Sequence, residues 1–226
     1  MADWSGALDT IAGMKGEIGE GFLQTLIMLG ISVPLSVLAG GVLGVWLFAC
    51  QNRELFYNRP AGRLLEYVIN TVRAFPFIIL ILYVGPLTKL LLGSTLGPVA
   101  AGVGLTVAGA FFFARLAEQN LREVPRGIIE AAVSMGASPW QIIFKVLFSE
   151  ARAGMVSSIT VLTIGLLSYS AAVGMIGGGG IGDLAVRYGY HRYQDELMHF
   201  LVLILVVLVN LIQAAGNWMA RKLDKR

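Results

Sequence analysis

Glu130 heads a run whose residue types suit one kind of chemistry. Ala131 and Ala132 follow it, then Val133-Ser134-Met135, then Gly136, and after Ala137 comes Ser138-Pro139. A lone carboxylate among small side chains does no acid–base work by itself, but it can seat closely against another surface and pair with a base there. Gly136 tolerates a left-handed helix exit, Ser138 caps the next helix and Pro139 fits its first turn, so the run reads as a rigid elbow between two helices. Groups for catalysis are sparse elsewhere. His191 and His199 are the only histidines and sit in no His-Glu-x-x-His frame, Cys50 is the single cysteine, and neither a Gly-x-Ser-x-Gly elbow nor a phosphate loop ending in Gly-Lys-Ser or Gly-Lys-Thr is present. These absences argue against an intramembrane enzyme, and Cys50 alone can form no intrachain disulfide.

The elements that must hold the elbow are membrane spans. The 226 residues are 56% hydrophobic and 14% charged, with a mean hydropathy of +0.73, more apolar than a soluble core of this size requires. Uncharged runs extend over residues 21–52, 74–88, 90–114, 153–182 and 197–220, and a helix needs about 20 apolar residues to cross the hydrocarbon. Five spans are expected. The shortest run reaches that length if its helix starts near Tyr67 and carries Arg73 and Lys89 at its two ends, both snorkelling to water. The chain divides into an extracytoplasmic segment 1–20, a five-span domain 21–220 that includes a cytoplasmic loop 115–152, and a basic tail 221–226.

Lys and Arg collect on cytoplasmic loops. Arg53, Arg59, Arg63 and Arg73 follow the first span; Arg115, Arg122, Arg126, Lys145 and Arg152 follow the third; Arg221, Lys222, Lys225 and Arg226 close the chain. The other faces carry only Lys15, Lys89, Arg187 and Arg192. This predicts an outside N-terminus, with Trp4 at the outer interface, and an inside C-terminus. The net charge of +3 is explained by topology and anionic headgroups, not nucleic acid.

Pro34 and the glycines Gly40, Gly41 and Gly44 in the first span permit close helix contact, within the chain or with another subunit. Pro76 breaks a helix, either to line a pathway or to fit the bundle. Pro125 ends the continuation of the third span, and Ile128, Ile129, Ala132, Val133 and Met135 follow at helical spacing, with Glu130 facing elsewhere. Trp140, Ile142, Ile143, Phe144, Val146 and Leu147 predict a separate apolar helix, which could rest on lipid with no partner. Gly177 to Gly180 cannot be a helix interior, and serve as a gate hinge or simply as the loop that ends the fourth span.

Glu130, Ala131, Ala132 and Gly136, with Val146-Leu147-Phe148-Ser149 at the end of the pattern, resemble the cytoplasmic signature of membrane-spanning permeases of bacterial ATP-binding-cassette importers. That signature is Glu-Ala-Ala, three residues, Gly, nine residues and an apolar pair ending in Leu-Pro; Ser149 departs from the proline. Arg73-Ala74-Phe75-Pro76-Phe77-Ile78-Ile79-Leu80, and Tyr169-Ser170 with the glycine run and Tyr188-Gly189-Tyr190, resemble the methionine branch. The resemblance covers most of the chain from Gly21 onward. It implies an all-α, five-helix type I importer fold and a homodimer in the bacterial cytoplasmic membrane. It also implies two cytoplasmic ATPase subunits that bind ATP and Mg, none being held by this chain, and an extracytoplasmic substrate-binding protein, lipid-anchored or periplasmic. Glu130, Ala131, Ala132, Gly136, Ala137 and Ser138 would then be the coupling helix that docks on the ATPase. Methionine is the implied solute, with either enantiomer open.

Along such a pathway Asn70, Arg73, Pro76, Tyr83, Thr163, Tyr169 and Ser170 are the candidate lining residues, because they are polar or helix-breaking amid apolar spans, and Met175 with Gly177 would border an outer gate. Other readings are a permease for another amino acid or an osmoprotectant, a standalone channel, or a membrane scaffold.

Overall fold

The computed structural model describes residues 11–224; Trp4, Lys225 and Arg226 lie outside them. The regular structure of the described residues is all helix, without strands. The helices are α1 (Lys15–Gln51), α2 (Arg59–Ala74), α3 (Phe77–Leu92), α4 (Pro98–Arg122), α5 (Arg126–Ser134), α6 (Phe148–Val173), α7 (Ile181–Leu184) and α8 (Asp195–Leu223). Among the described residues four stretches are long and apolar enough to cross a membrane: α1, α4, the continuous run Pro139–Gly178 that contains α6, and α8. A fifth crossing exists only if the sharply bent pair α2 and α3 counts as one.

That pair corrects the expectation of a single helix starting near Tyr67. Phe75 is extended (φ −66°, ψ 135°) and its N–H reaches back to Val72, since a residue before proline is forced out of the helical region. Residues 59–74 therefore form a separate amphipathic helix, opened by Asn58, whose side chain accepts from the Ala61 N–H at 3.1 Å.

A second correction concerns the far side of the elbow. Instead of a separate helix, Pro139–Gln141 leads through a wide π-helical stretch, Ile142–Leu147, directly into α6. The Phe148 N–H bonds the Ile143 carbonyl five residues back, and Ser149, unlike a proline, keeps its backbone donor so the helix runs on without a break. In the elbow's first helix Ile129 and Ala132 are the buried anchors, whereas Val133 and Met135, expected on the apolar face, are exposed.

The chain forms two compact units, one of residues 1–33, 77–106 and 163–213, the other of residues 34–76, 107–162 and 214–226. The second unit holds the elbow. In its core Leu47, Ile69 and Ala114 meet with Leu43, Leu65 and Phe111 around them. Helices approach closely at small residues: a Cβ on Gly44 would strike the Ala117 Cβ at 2.8 Å, and α8 presses Gly216 onto Thr160. The Arg152 Nε donates to the last carbonyl of α8, Leu223, at 3.0 Å, as a basic side chain at a helix C-terminus does. In the first unit Ile181, Leu184, Ala185, Leu197 and Leu201 form the buried cluster.

Candidate functional site

The elbow is built by local rules that its residues satisfy one by one. Gly136 lies at φ +79°; its N–H donates to Val133 O at 2.9 Å and the Ala137 N–H donates to Ala132 O at 3.0 Å. Those two bonds are a Schellman closure of α5, which requires the left-handed residue that glycine supplies. Two residues on, the Ser138 hydroxyl accepts from the Gln141 N–H at 3.4 Å, and the Gln141 carboxamide oxygen accepts from the Ser138 N–H at 2.9 Å. Each side chain satisfies the other's backbone donor, with Pro139 in the first turn, so the corner is stiff.

Apart from Val133 and Met135, what the corner presents is small or polar. Glu130, Ala131, Ser134, Gly136 and Ser138 are exposed and Ala137 is half-buried, while Ala132 is buried. Ala132 thus anchors the helix from within. Met135, 80% exposed, stands beside Gly136 as the largest apolar side chain of the corner. The Glu130 carboxylate has no ion pair among the described residues, and with Arg126 and Ile129 it borders an open cavity of about 740 Å³ completed by Phe48, Gln51, Asn52, Arg53, Glu54, Leu121, Arg122 and Val124.

Two groups that sequence reasoning missed tie the elbow to its unit. The first is an aromatic series: Trp46 stacks on Phe56 at 6.2 Å, Phe56 meets Trp140 at 5.0 Å, Trp140 stacks on Phe144 at 5.9 Å and Phe144 on Phe148 at 5.9 Å. It runs from α1 through the α1–α2 connection into the helix that leaves the elbow, so packed rings join the corner to α1. The second is Glu118, 0% exposed. Its carboxylate pairs with Arg115 at 3.0 Å and with Arg122 one turn further on. Arg115 also lies 3.9 Å from Glu66 on α2, Gln51 donates to Glu66 at 3.2 Å, and Arg122 donates to Gln51. A buried carboxylate persists only when paired, and this cluster joins α1, α2 and α4 beside the cavity. The Arg-x-x-Glu-x-x-x-Arg spacing on one helix face was the available signal.

The candidate lining residues fall into both units. In the second unit Asn70 and Pro76 are exposed, and the Arg73 guanidinium lies 5.9 Å from the centre of the Phe112 ring. In the first, Tyr83 is 80% exposed on α3. Tyr169 stacks on Phe77 at 4.0 Å, Thr163 is half-buried, and Met175 and Gly177 are exposed near the end of the fourth crossing. Ser170 is 4% exposed, with its hydroxyl donated to Leu167 O at 2.7 Å, the back-bonding common for hydroxyls in apolar helices. Beyond that crossing the Arg187 and Arg192 guanidiniums lie 5.2 and 4.4 Å from the centre of the Tyr188 ring, and a hydrogen bond with Glu17 raises its hydroxyl pKa.

Residues 40–226 match the family described as binding-protein-dependent transport system inner membrane component. The chain belongs to that family. This inner membrane component is 45% identical over 203 residues, 90% of each chain, to a probable D-methionine transport system permease protein of Vibrio cholerae, and 40% identical over 180 residues, 80% of this chain and 81% of the other, to a methionine import system permease protein of Bacillus subtilis. Among solved structures it superimposes, with a TM-score of 0.92 at 38% identity over 94% of its length and 99% of the other's, on a chain of a methionine ABC transporter in an inward-facing conformation. A chain of an amino acid ABC transporter, at 18% identity and a TM-score of 0.78, shares the fold.

Proposed function

We propose that this chain is the membrane-spanning subunit of an ATP-driven methionine importer, D-methionine included. Two copies would enclose the pathway, two ATPase subunits would grip the elbows, and an external binding protein would deliver the solute. The observation that carries the reading is the corner at Glu130 to Ser138: doubly capped, exposed, small-surfaced, and displaying a carboxylate unpaired among the described residues, in a chain whose relatives are methionine permeases. The charge distribution supports an outside N-terminus and an inside C-terminus, an orientation in which the corner would face the cytoplasm, where ATP is.

Closing of the ATPase pair on ATP would draw the corner with it. The stiff capping passes the displacement to the helix leading into α6, and the Trp46–Phe56–Trp140–Phe144–Phe148 rings pass it to α1. Alternating access needs two states that ligands bias differently. Asn70, Arg73, Pro76, Tyr83, Thr163, Tyr169 and Ser170 remain the candidates for the pathway, with Met175 and Gly177 at its outer gate.

The test is uptake by proteoliposomes holding the permease, its ATPase and its binding protein. Methionine accumulation that requires ATP and is abolished by vanadate is expected. Methionine flux without ATPase, or insensitive to vanadate, would mark a channel instead.

A further inference from the structure

The glycine-rich break after α6 is fastened by side chains of α1. The backbone leaves helical geometry at Ile176 (φ −107°, ψ 21°) and Gly177 (φ 96°), and Gly179 and Gly180 stand at φ +77° and +93°. The helical segment that restarts at Ile181 has Gly180 at its N-cap and so no capping side chain of its own, leaving N–H donors that must find partners in an apolar setting. Two adjacent α1 residues supply them. Gln24 Oε1 accepts from the Gly180 N–H at 2.8 Å, and Thr25 Oγ1 accepts from the Ile181 N–H at 3.0 Å.

Both acceptors are themselves held in aim. The Gln24 amide nitrogen donates to the Glu20 carboxylate at 3.0 Å, which turns its oxygen toward the loop, and the Thr25 hydroxyl donates to Gly21 O at 3.0 Å, which leaves its lone pair for Ile181. Thr25 and Ile181 are buried. The approach is as close as glycine permits, since a Cβ on Gly180 would meet Met28 Cε at 2.7 Å and Thr25 Oγ1 at 2.8 Å. On the opposite flank the Gly97 N–H donates to Gly177 O at 2.9 Å. A segment tied at both flanks is not a free hinge.

We propose that Gln24 and Thr25 are positioning residues for transport: they cap the restarted segment from α1 and hold the external end of the pathway shut in this conformation. Opening to the outside then requires both bonds to break. This rests on the importer reading, with the end of the fourth crossing outside.

The test uses the whole complex in lipid vesicles, with ATP hydrolysis measured with and without binding protein and methionine. Thr25→Val combined with Gln24→Met weakens the shut state by two hydrogen bonds. Hydrolysis without binding protein should therefore rise about tenfold relative to the stimulated rate. Thr25→Ser, which keeps the acceptor, should return the Thr25→Val rate ratio to that of wild type. An assembled double variant with the wild-type ratio overturns the proposal, as does a serine variant that behaves like valine. A second measurement needs no variant: hydrogen exchange of the wild-type complex across residues 177–184. Protection without nucleotide that is lost when a nonhydrolysable ATP analogue and binding protein are added supports the latch; rapid exchange in both conditions overturns it. A wild-type complex with no ATP-coupled uptake defeats the importer reading, whereas a coupled wild type with unresponsive variants defeats only the latch.

Discussion

Gly136 isolates the contribution of backbone geometry to coupling. A Cβ at this position meets nothing within 4 Å, so a substitution adds no clash, and its whole local cost is the conformational one of holding an L side chain at φ +79°. For alanine that cost is about 1 kcal/mol; for β-branched valine it reaches about 2 kcal/mol. Asparagine, which tolerates the left-handed region better than other side chains, should cost least. A penalty of about 2 kcal/mol reduces the population of the intact elbow relative to alternatives about thirtyfold, enough to uncouple it where 1 kcal/mol is partly tolerated. Methionine taken up per ATP hydrolysed, in proteoliposomes with the ATPase and binding protein present, should fall in the order Gly, Asn, Ala, Val. Expression and membrane insertion should stay level across the series. Wild-type coupling in Gly136→Val would refute the argument. Asparagine as poor as valine would also refute it, by showing that the size of the surface, and not the backbone, is what the partner reads.

Three further outcomes follow from named contacts. Glu130→Ala should weaken association of the permease with its ATPase by about 2 kcal/mol or more if the carboxylate is desolvated against a base, measured as retention of the ATPase during purification at graded salt; undiminished retention would remove Glu130 from the docking surface. Glu118→Ala removes the buried carboxylate that pairs with Arg115 and with the half-exposed Arg122 and should cost about 2 kcal/mol, seen as a lower melting temperature of the detergent-solubilised complex, with an unchanged temperature counting against the ion cluster as a structural tie. Gly182→Ala puts a Cβ onto the Ala171 backbone well inside contact distance, whereas Gly165→Ala meets nothing within 4 Å. The first should fail to accumulate in membranes and the second should accumulate normally, and equal yields would contradict the close approach of α7 to α6.

The features legible in the chain were those whose causes lie within a few residues. The left-handed Gly136, the Ser138 cap with Pro139 behind it, and the stop at Pro125 each depend on φ limits and hydrogen bonds closed inside one or two turns, so residue type and spacing suffice to predict them. Apolar run length did the same for the spans, because a bilayer admits only helices long enough to satisfy their own backbone. Two readings still differed, both for local backbone reasons: Pro76 forced Phe75 out of the helix, so the residues from Tyr67 to Ala74 went to a separate amphipathic helix, and Ser149 kept the donor a proline lacks, so the elbow's second helix fused with α6 through a π-helical stretch.

Contacts between distant residues carried no such signature. The spacing of Arg115, Glu118 and Arg122 signals their pairing, but not the burial of Glu118 or the links of the two arginines to Glu66 and Gln51. Phe56 reads as an ordinary loop aromatic until it lies against Trp46 and Trp140. Gln24 and Thr25 are unremarkable polar residues of an apolar helix until they meet the backbone of Gly180 and Ile181, 156 positions along the chain. Periodicity and capping describe how a backbone turns; which side chain fills a vacant donor or neutralises a buried charge depends on which helices come to lie side by side, and that is settled by packing over the whole unit.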